Sequence, residues 1–139
     1  MLDAEKLREL RSILKTIPNE FEGREYTVEL FTEELTSRCP FRGLPDFYRL
    51  RLIYVPDRDL VELKSLKFYL QGFRDVGITH ESLLNVIFED LLDLLKPRYL
   101  RAELYVNVRG GIRTTVRREH GEPCGTACGV REGTIPEGR

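Results

Sequence analysis

Apolar residues recur at helical spacing over residues 3–16: Leu7, Leu10, Ile13 and Leu14 share one face, and Glu, Lys and Arg fill the other. That is the pattern of a surface helix, closed off by Pro18 and Gly23. Residues 26–35 are rich in β-formers and alternate in part, which predicts a first strand. Residues 47–55 set Arg49 and Arg51 on one face and Leu50 and Leu52 on the other, predicting a second strand. After a turn at 56–59, a short extended piece at 60–62 leads into a helix over 63–74, where Leu63, Leu66, Leu70 and Phe73 share a face. Thr79 is placed to cap a further helix over 80–95, with Leu84, Ile87, Leu91, Leu94 and Leu95 as its apolar stripe and Pro97 as its stop. Residues 99–108 and 112–117 alternate as two more strands, and Gly110-Gly111 between them suits a tight hairpin.

After the N-terminal helix the order is therefore β-β-α-α-β-β. This predicts an α+β fold, a four-stranded antiparallel sheet with two helices on one face. The first and last strands would be exposed edges. Pairing of such edges between copies would close a larger barrel, so a ring-shaped homo-oligomer is expected. Residues 1–119 are expected to form one domain. Residues 120–139, rich in Gly and poor in apolar side chains, are expected to form a flexible tail.

Composition narrows the classes. A chain of 139 residues, 41% hydrophobic and 32% charged, fits one domain with a modest core. A net charge of −1 offers no bulk attraction to nucleic acid. No apolar run is long enough to span a bilayer, and the charged N-terminus is unlike a signal peptide; a cytoplasmic protein is expected. Three cysteines, an odd count, argue against a disulfide framework. The two histidines, His80 and His120, are too few for a metal site in the body of the domain. In the tail, His120, Cys124 and Cys128 are only three soft ligands on a flexible segment, so no metal is expected.

Three stretches carry candidate chemistry. Cys39 and Asp46 are seven positions apart, with Pro40, Gly43 and Pro45 between or beside them. Extended, seven residues span roughly 23 Å, but a turn at these residues would bring thiol and carboxyl together as parts of a nucleophilic site. A lone cysteine is otherwise a small buried hydrophobe. Lys64 and Lys67, three apart on a predicted helix, share a face and with Ser65 and the helix N-terminus could hold phosphates; an ordinary amphipathic helix has the same spacing. Glu81, after His80 at a helix start, could accept two hydrogen bonds from the N–H edge of a guanine-like base. The helix dipole alone also favours an acid there.

Taken in this order the motifs resemble a known family. They are Thr36-Ser37-Arg38-Cys39-Pro40 with Pro45-Asp46-Phe47, Glu62-Leu63-Lys64-Ser65-Leu66-Lys67-Phe68-Tyr69, Phe73-Arg74 followed by His80-Glu81, and Pro97-Arg98-Tyr99 with Arg109-Gly110-Gly111-Ile112. Over residues 24–118 the chain resembles the short form of the NADPH-dependent 7-cyano-7-deazaguanine (preQ0) reductases, nitrile reductases of tRNA queuosine biosynthesis. These share the tunnelling fold of GTP cyclohydrolase I. The resemblance implies reduction of the nitrile to the aminomethyl group of preQ1, with NADPH as co-substrate. It matches Cys39 to the nucleophile that forms a thioimide and Asp46 to the proton donor. It matches His80 and Glu81 to the base-binding pair, with Val61, Glu62 and Leu63 lining the same pocket, and it places Lys64, Ser65 and Lys67 in the NADPH-associated motif. It further implies a small 7-deazapurine substrate and pentameric rings stacked as decamers. The alternatives are a related tunnelling-fold amidinotransferase, which should lack the lysine octet, and a pterin- or purine-binding protein.

Overall fold

The computed structural model describes residues 2–124. Most of the expected flexible tail, residues 125–139 with Cys128, lies outside them. The first helix, α1 (Ala4–Arg11), is capped by Asp3 and ends sooner than its apolar spacing suggests. The chain then turns to form a short strand, β1 (Thr16–Pro18). Strands β2 (Val28–Arg38) and β3 (Pro45–Val55) form the hairpin that carries the predicted thiol loop. Strand β4 (Asp59–Val61) pairs with β1 as a separate two-stranded sheet. Helix α2 (Leu63–Gln71) comes next, tightening into a 3-10 turn over Gly72–Asp75 where one continuous helix was expected. Helix α3 (His80–Leu95) spans the predicted range, and Thr79 caps it through the Ser82 amide at 3.2 Å. Strands β5 (Tyr99–Arg109) and β6 (Ile112–Gly121) complete the main sheet. The last strand outruns its predicted end, so His120, assigned to the tail, pairs with Leu100.

The main sheet is antiparallel in the order β2-β3-β5-β6, as the pattern predicts. One face packs on α2 and α3. Leu50 and Leu104 from the sheet and Leu84, Ile87 and Phe88 from α3 have no exposed surface; each such side chain contributes about 1.5–3 kcal/mol of burial. On the other face Glu103 is also fully buried. It pairs with Arg51, Arg101 and Arg117 at 3.4, 2.9 and 3.1 Å. Burial alone would raise its pKa, but the hydrogen bonds and charge of Arg101 outweigh that and hold it below the usual carboxylate range. Gly110 and Gly111 at the β5–β6 turn have φ of +58° and +76°, the conformation a two-residue hairpin loop needs at both central positions.

Strand β2 is irregular. Its pairing runs Thr32↔Leu50 and then Leu35↔Tyr48, so β2 carries one extra residue. Such a bulge reverses which residues face which side. Before it, the even positions Leu30 and Thr32 pair across from core-facing Leu52 and Leu50; after it, the odd positions Leu35 and Ser37 pair across from Tyr48 and Asp46.

Candidate active site

The bulge aims the end of β2 inward. Ser37 lies opposite Asp46, and alternation puts Cys39 on the same face, diagonal to Asp46. The loop between them is closed by backbone hydrogen bonds: the Cys39 amide donates to Leu44 O and the Gly43 amide donates to Cys39 O, both at 2.8 Å. Pro40, Gly43 and Pro45 thus form the turn that the spacing predicts. Cys39 is half-buried and a free thiol, whereas Cys124 is disulfide-bonded, against the expectation that thiols in this chain stay reduced.

Two further elements bring groups to this corner. The segment after the 3-10 turn adds to the end of β2: the Arg38 amide donates to Val76 O at 2.9 Å and the Ile78 amide to Arg38 O at 3.0 Å. That pairing fixes where α3 begins, and so fixes His80. From the other side the end of β5 delivers Arg109, whose Nε lies 3.3 Å from Asp46 Oδ1 and whose Nη2 donates to Pro45 O. Asp46 is only 4% exposed, so this guanidinium is the charge that accompanies its carboxylate inside the fold. Arg38 donates to Gly43 O at 3.2 Å and faces Asp75 at 3.6 Å.

Tyr48 joins the parts. Two residues after Asp46 on the same face of β3, its hydroxyl lies 2.9 Å from Ser37 Oγ and 2.8 Å from His80 Nδ1. Burial pushes its pKa up to about 12; the Ser37 hydrogen bond and Arg109 oppose the rise, while Asp46 and Cys39 add to it. Tyr48 therefore stays a neutral hydroxyl at any physiological pH. The motifs in the sequence do not single out Tyr48, Ser37 or Arg109 as site residues. A signal is nonetheless present: Ser37 and Tyr48 stand two positions from Cys39 and Asp46, the period of one strand face.

Of the other predicted residues, Glu81 follows His80 directly and the rest lie farther along the fold. Glu81 is exposed at the start of α3, on a cleft of about 460 Å³ between α1 and α3 that Arg8, Arg11 and Asn85 also line. Val61 is buried at the far end of the sheet, its amide donating to the Tyr54 hydroxyl at 3.2 Å. Asp46 and Tyr54 are eight residues apart on one strand, roughly 26 Å. Val61 is thus well separated from Asp46, whereas Leu63 borders a cleft that Leu35 and Leu50 also line. Glu62 caps α2, accepting from the Lys64 and Ser65 amides at 2.6 and 2.9 Å. Ser65 is buried, its hydroxyl donating to Glu62 O and accepting from the Lys15 amide. The first amides of α2 and the Ser65 hydroxyl are thus already engaged within the fold. Lys64 and Lys67 remain exposed, with no carboxylate at ion-pair distance among the described residues. Lys67 borders a cleft of about 210 Å³ between α2 and the β2–β3 hairpin. Among the described residues no group of three or more His, Cys, Asp or Glu is placed to hold a metal, and no helix is long and apolar enough to cross a membrane.

A free thiol, a buried carboxylate and an imidazole lie toward one end of a helix-backed antiparallel sheet with the architecture of a tunnelling-type domain. Comparison with known proteins specifies it. The profile of the family described as QueF-like protein matches residues 45–124. The NADPH-dependent 7-cyano-7-deazaguanine reductase of Nitrosococcus oceani is 47% identical over 110 residues, 79% of this chain and 85% of that one. The enzyme of the same name from Halorhodospira halophila is 49% identical over 107 residues, 77% and 91% of the two chains. The chain belongs to the family of NADPH-dependent 7-cyano-7-deazaguanine reductases. Its fold also resembles that of an archaeosine synthase QueF-Like in the apo form, with a TM-score of 0.64 at 23% identity over 69% of this chain and 94% of that one.

Proposed function

We propose that this protein reduces the nitrile of 7-cyano-7-deazaguanine to the aminomethyl group, at the expense of NADPH, in the cytoplasmic pathway that makes queuosine for tRNA. The observation that carries this reading is the convergence of Cys39, Asp46 and His80 at one end of the sheet in a chain of this family. The Cys39 sulfur adds to the nitrile carbon. Asp46, held by Arg109, takes the thiol proton and passes it to the nitrile nitrogen, giving a thioimide. Two hydrides from NADPH carry the carbon on to the amine level. Between them the C–S bond breaks and Cys39 leaves as thiolate; solvent supplies one proton to the amine nitrogen and one to the thiolate, which restores the starting thiol. His80 and Glu81 hold the deazaguanine ring, with Glu81 accepting from its N–H edge.

Lys64 and Lys67 suit the phosphates of NADPH, being exposed cations one helical turn apart without internal partners among the described residues. Ser65 sets the helix that presents them. The defining assay mixes the protein with 7-cyano-7-deazaguanine and follows loss of reduced-nicotinamide absorbance together with formation of the aminomethyl product. Replacing Lys64 and Lys67 by Ala should raise the NADPH concentration required by about tenfold or more while sparing attachment of substrate to Cys39. Loss of attachment instead would move these lysines to the nucleobase or the fold.

Because Val61, beside Tyr54, stands most of a strand length from Asp46, a pocket containing both takes two chains. The edges of β2 and β6, and the exposed Phe41, Phe47, Val108 and Ile112 around the thiol corner, are surfaces on which a neighbouring chain would close it. The assembly is a ring of identical chains, pentameric and stacked as a decamer. Rings co-expressed from Cys39→Ala chains and Lys64→Ala/Lys67→Ala chains should regain turnover at an NADPH concentration where neither parent works. Absence of recovery in mixed rings would place each site within one chain.

A further inference from the structure

The hydrogen bonds around Tyr48 decide which nitrogen of His80 carries the proton. Ser37 Oγ, the Tyr48 hydroxyl and His80 Nδ1 form a row with spacings of 2.9 and 2.8 Å. Ser37 has no exposed surface and Tyr48 has 1%. Two arrangements of protons fit the row. In the first, Ser37 donates to Tyr48 and Tyr48 donates to Nδ1, so both hydroxyl protons have acceptors. In the second, Nδ1–H donates to Tyr48 and Tyr48 donates to Ser37. The Ser37 proton is then buried, and among the described residues no other group accepts it. A buried hydroxyl proton without an acceptor is strongly disfavoured, so the first arrangement wins. A phenolate accepting from both sides is excluded at neutral pH by the burial of Tyr48.

We propose that Tyr48 is a positioning residue that holds neutral His80 as its Nε2–H tautomer, so that His80 offers the substrate a hydrogen-bond donor and not an acceptor. The two ring nitrogens point away from each other, so with Nδ1 on Tyr48 the Nε2–H faces away from the buried row. Among the described residues it has no other partner. The Tyr48 and His80 rings also meet edge to face, with centroids 5.5 Å apart, which limits rotation of the imidazole. Donor His80 beside acceptor Glu81 reads one acceptor and one N–H edge of a heterocycle. That last step rests on the reductase reading; the tautomer does not.

The test uses the full chain labelled with ¹⁵N-histidine. It has two histidines, and a His120→Gln variant assigns the spectrum. Unaltered protein at neutral pH should show the Nε2–H tautomer alone at His80. Tyr48→Phe should show a mixture of tautomers, and its KM for 7-cyano-7-deazaguanine should rise about tenfold, the scale of one lost hydrogen bond, with a smaller change in kcat. Ser37→Ala should keep the tautomer, because Tyr48 still donates to Nδ1. An Nδ1–H signal in the unaltered protein would overturn the proposal whatever the variants do. So would Tyr48→Phe with tautomer and KM unchanged, or Ser37→Ala disturbing the tautomer as much as Tyr48→Phe. The expected tautomer in a protein that consumes no NADPH would instead leave this inference standing and remove the reductase reading.

Discussion

Cys39→Ala protein mixed with 7-cyano-7-deazaguanine, without NADPH, is expected to keep its own intact mass, while the unaltered chain gains the mass of one substrate molecule. Turnover with NADPH should fall by at least about 10⁴-fold, the scale seen when a nucleophile is removed elsewhere. The substitution is a clean one. The bonds that shape the loop run through backbone atoms, from the Cys39 amide to Leu44 O and from the Gly43 amide to Cys39 O. An alanine keeps both, and the half-buried side chain leaves little void. An adduct that persists in Cys39→Ala, or none in the unaltered chain, would defeat the thioimide route.

Asp46→Asn should fold and should turn over NADPH some 10²- to 10⁴-fold more slowly, the range for loss of a positioned proton-transfer group. The amide keeps the shape of the buried carboxylate and can still accept from Arg109, but it cannot take the thiol proton. Adduct formation should slow as well. Raising the pH should recover part of it, because solvent then removes that proton without Asp46. Rapid adduct formation at neutral pH together with near-normal turnover would remove Asp46 from the mechanism. Arg109 is half exposed, so the lost ion pair is screened and should contribute little to stability.

Much of this was legible along the chain because it depends on local physics. Thr79 caps α3 because a β-region hydroxyl can reach the third amide of the helix it precedes. Gly110-Gly111 turns the β5–β6 hairpin because both positions need positive φ. Alternation over residues 47–55 placed Leu50 and Leu52 toward the core and Arg49 and Arg51 away from it. Other features depend on partners distant in sequence. α1 ends at Arg11 because the chain must turn to pair Thr16–Pro18 with Asp59–Val61. Ser65 reads as a ligand for phosphate, yet its hydroxyl is spent on Lys15, fifty residues earlier. Arg109 reads as part of a turn, yet its guanidinium serves Asp46 across the sheet.

The candidate site divides along the same line. Its parts are written in the order of residues: a thiol and an acid bracketing a Pro- and Gly-bearing turn, an His-Glu pair at a helix start, two lysines one turn apart, and through their combination the family. Their arrangement belongs to the folded chain. One extra residue between Thr32 and Leu35 turns Ser37 and Cys39 to the core face, and a bulge of that kind has no reliable mark in a run whose alternation is already imperfect. A parallel bridge at Arg38 and Gly77 brings His80 to the same corner, and buried Tyr48 links it to Ser37. The length of β3 keeps Val61, beside Tyr54, away from that corner, since a strand holds its two ends apart however close the chain's later turns bring its neighbours.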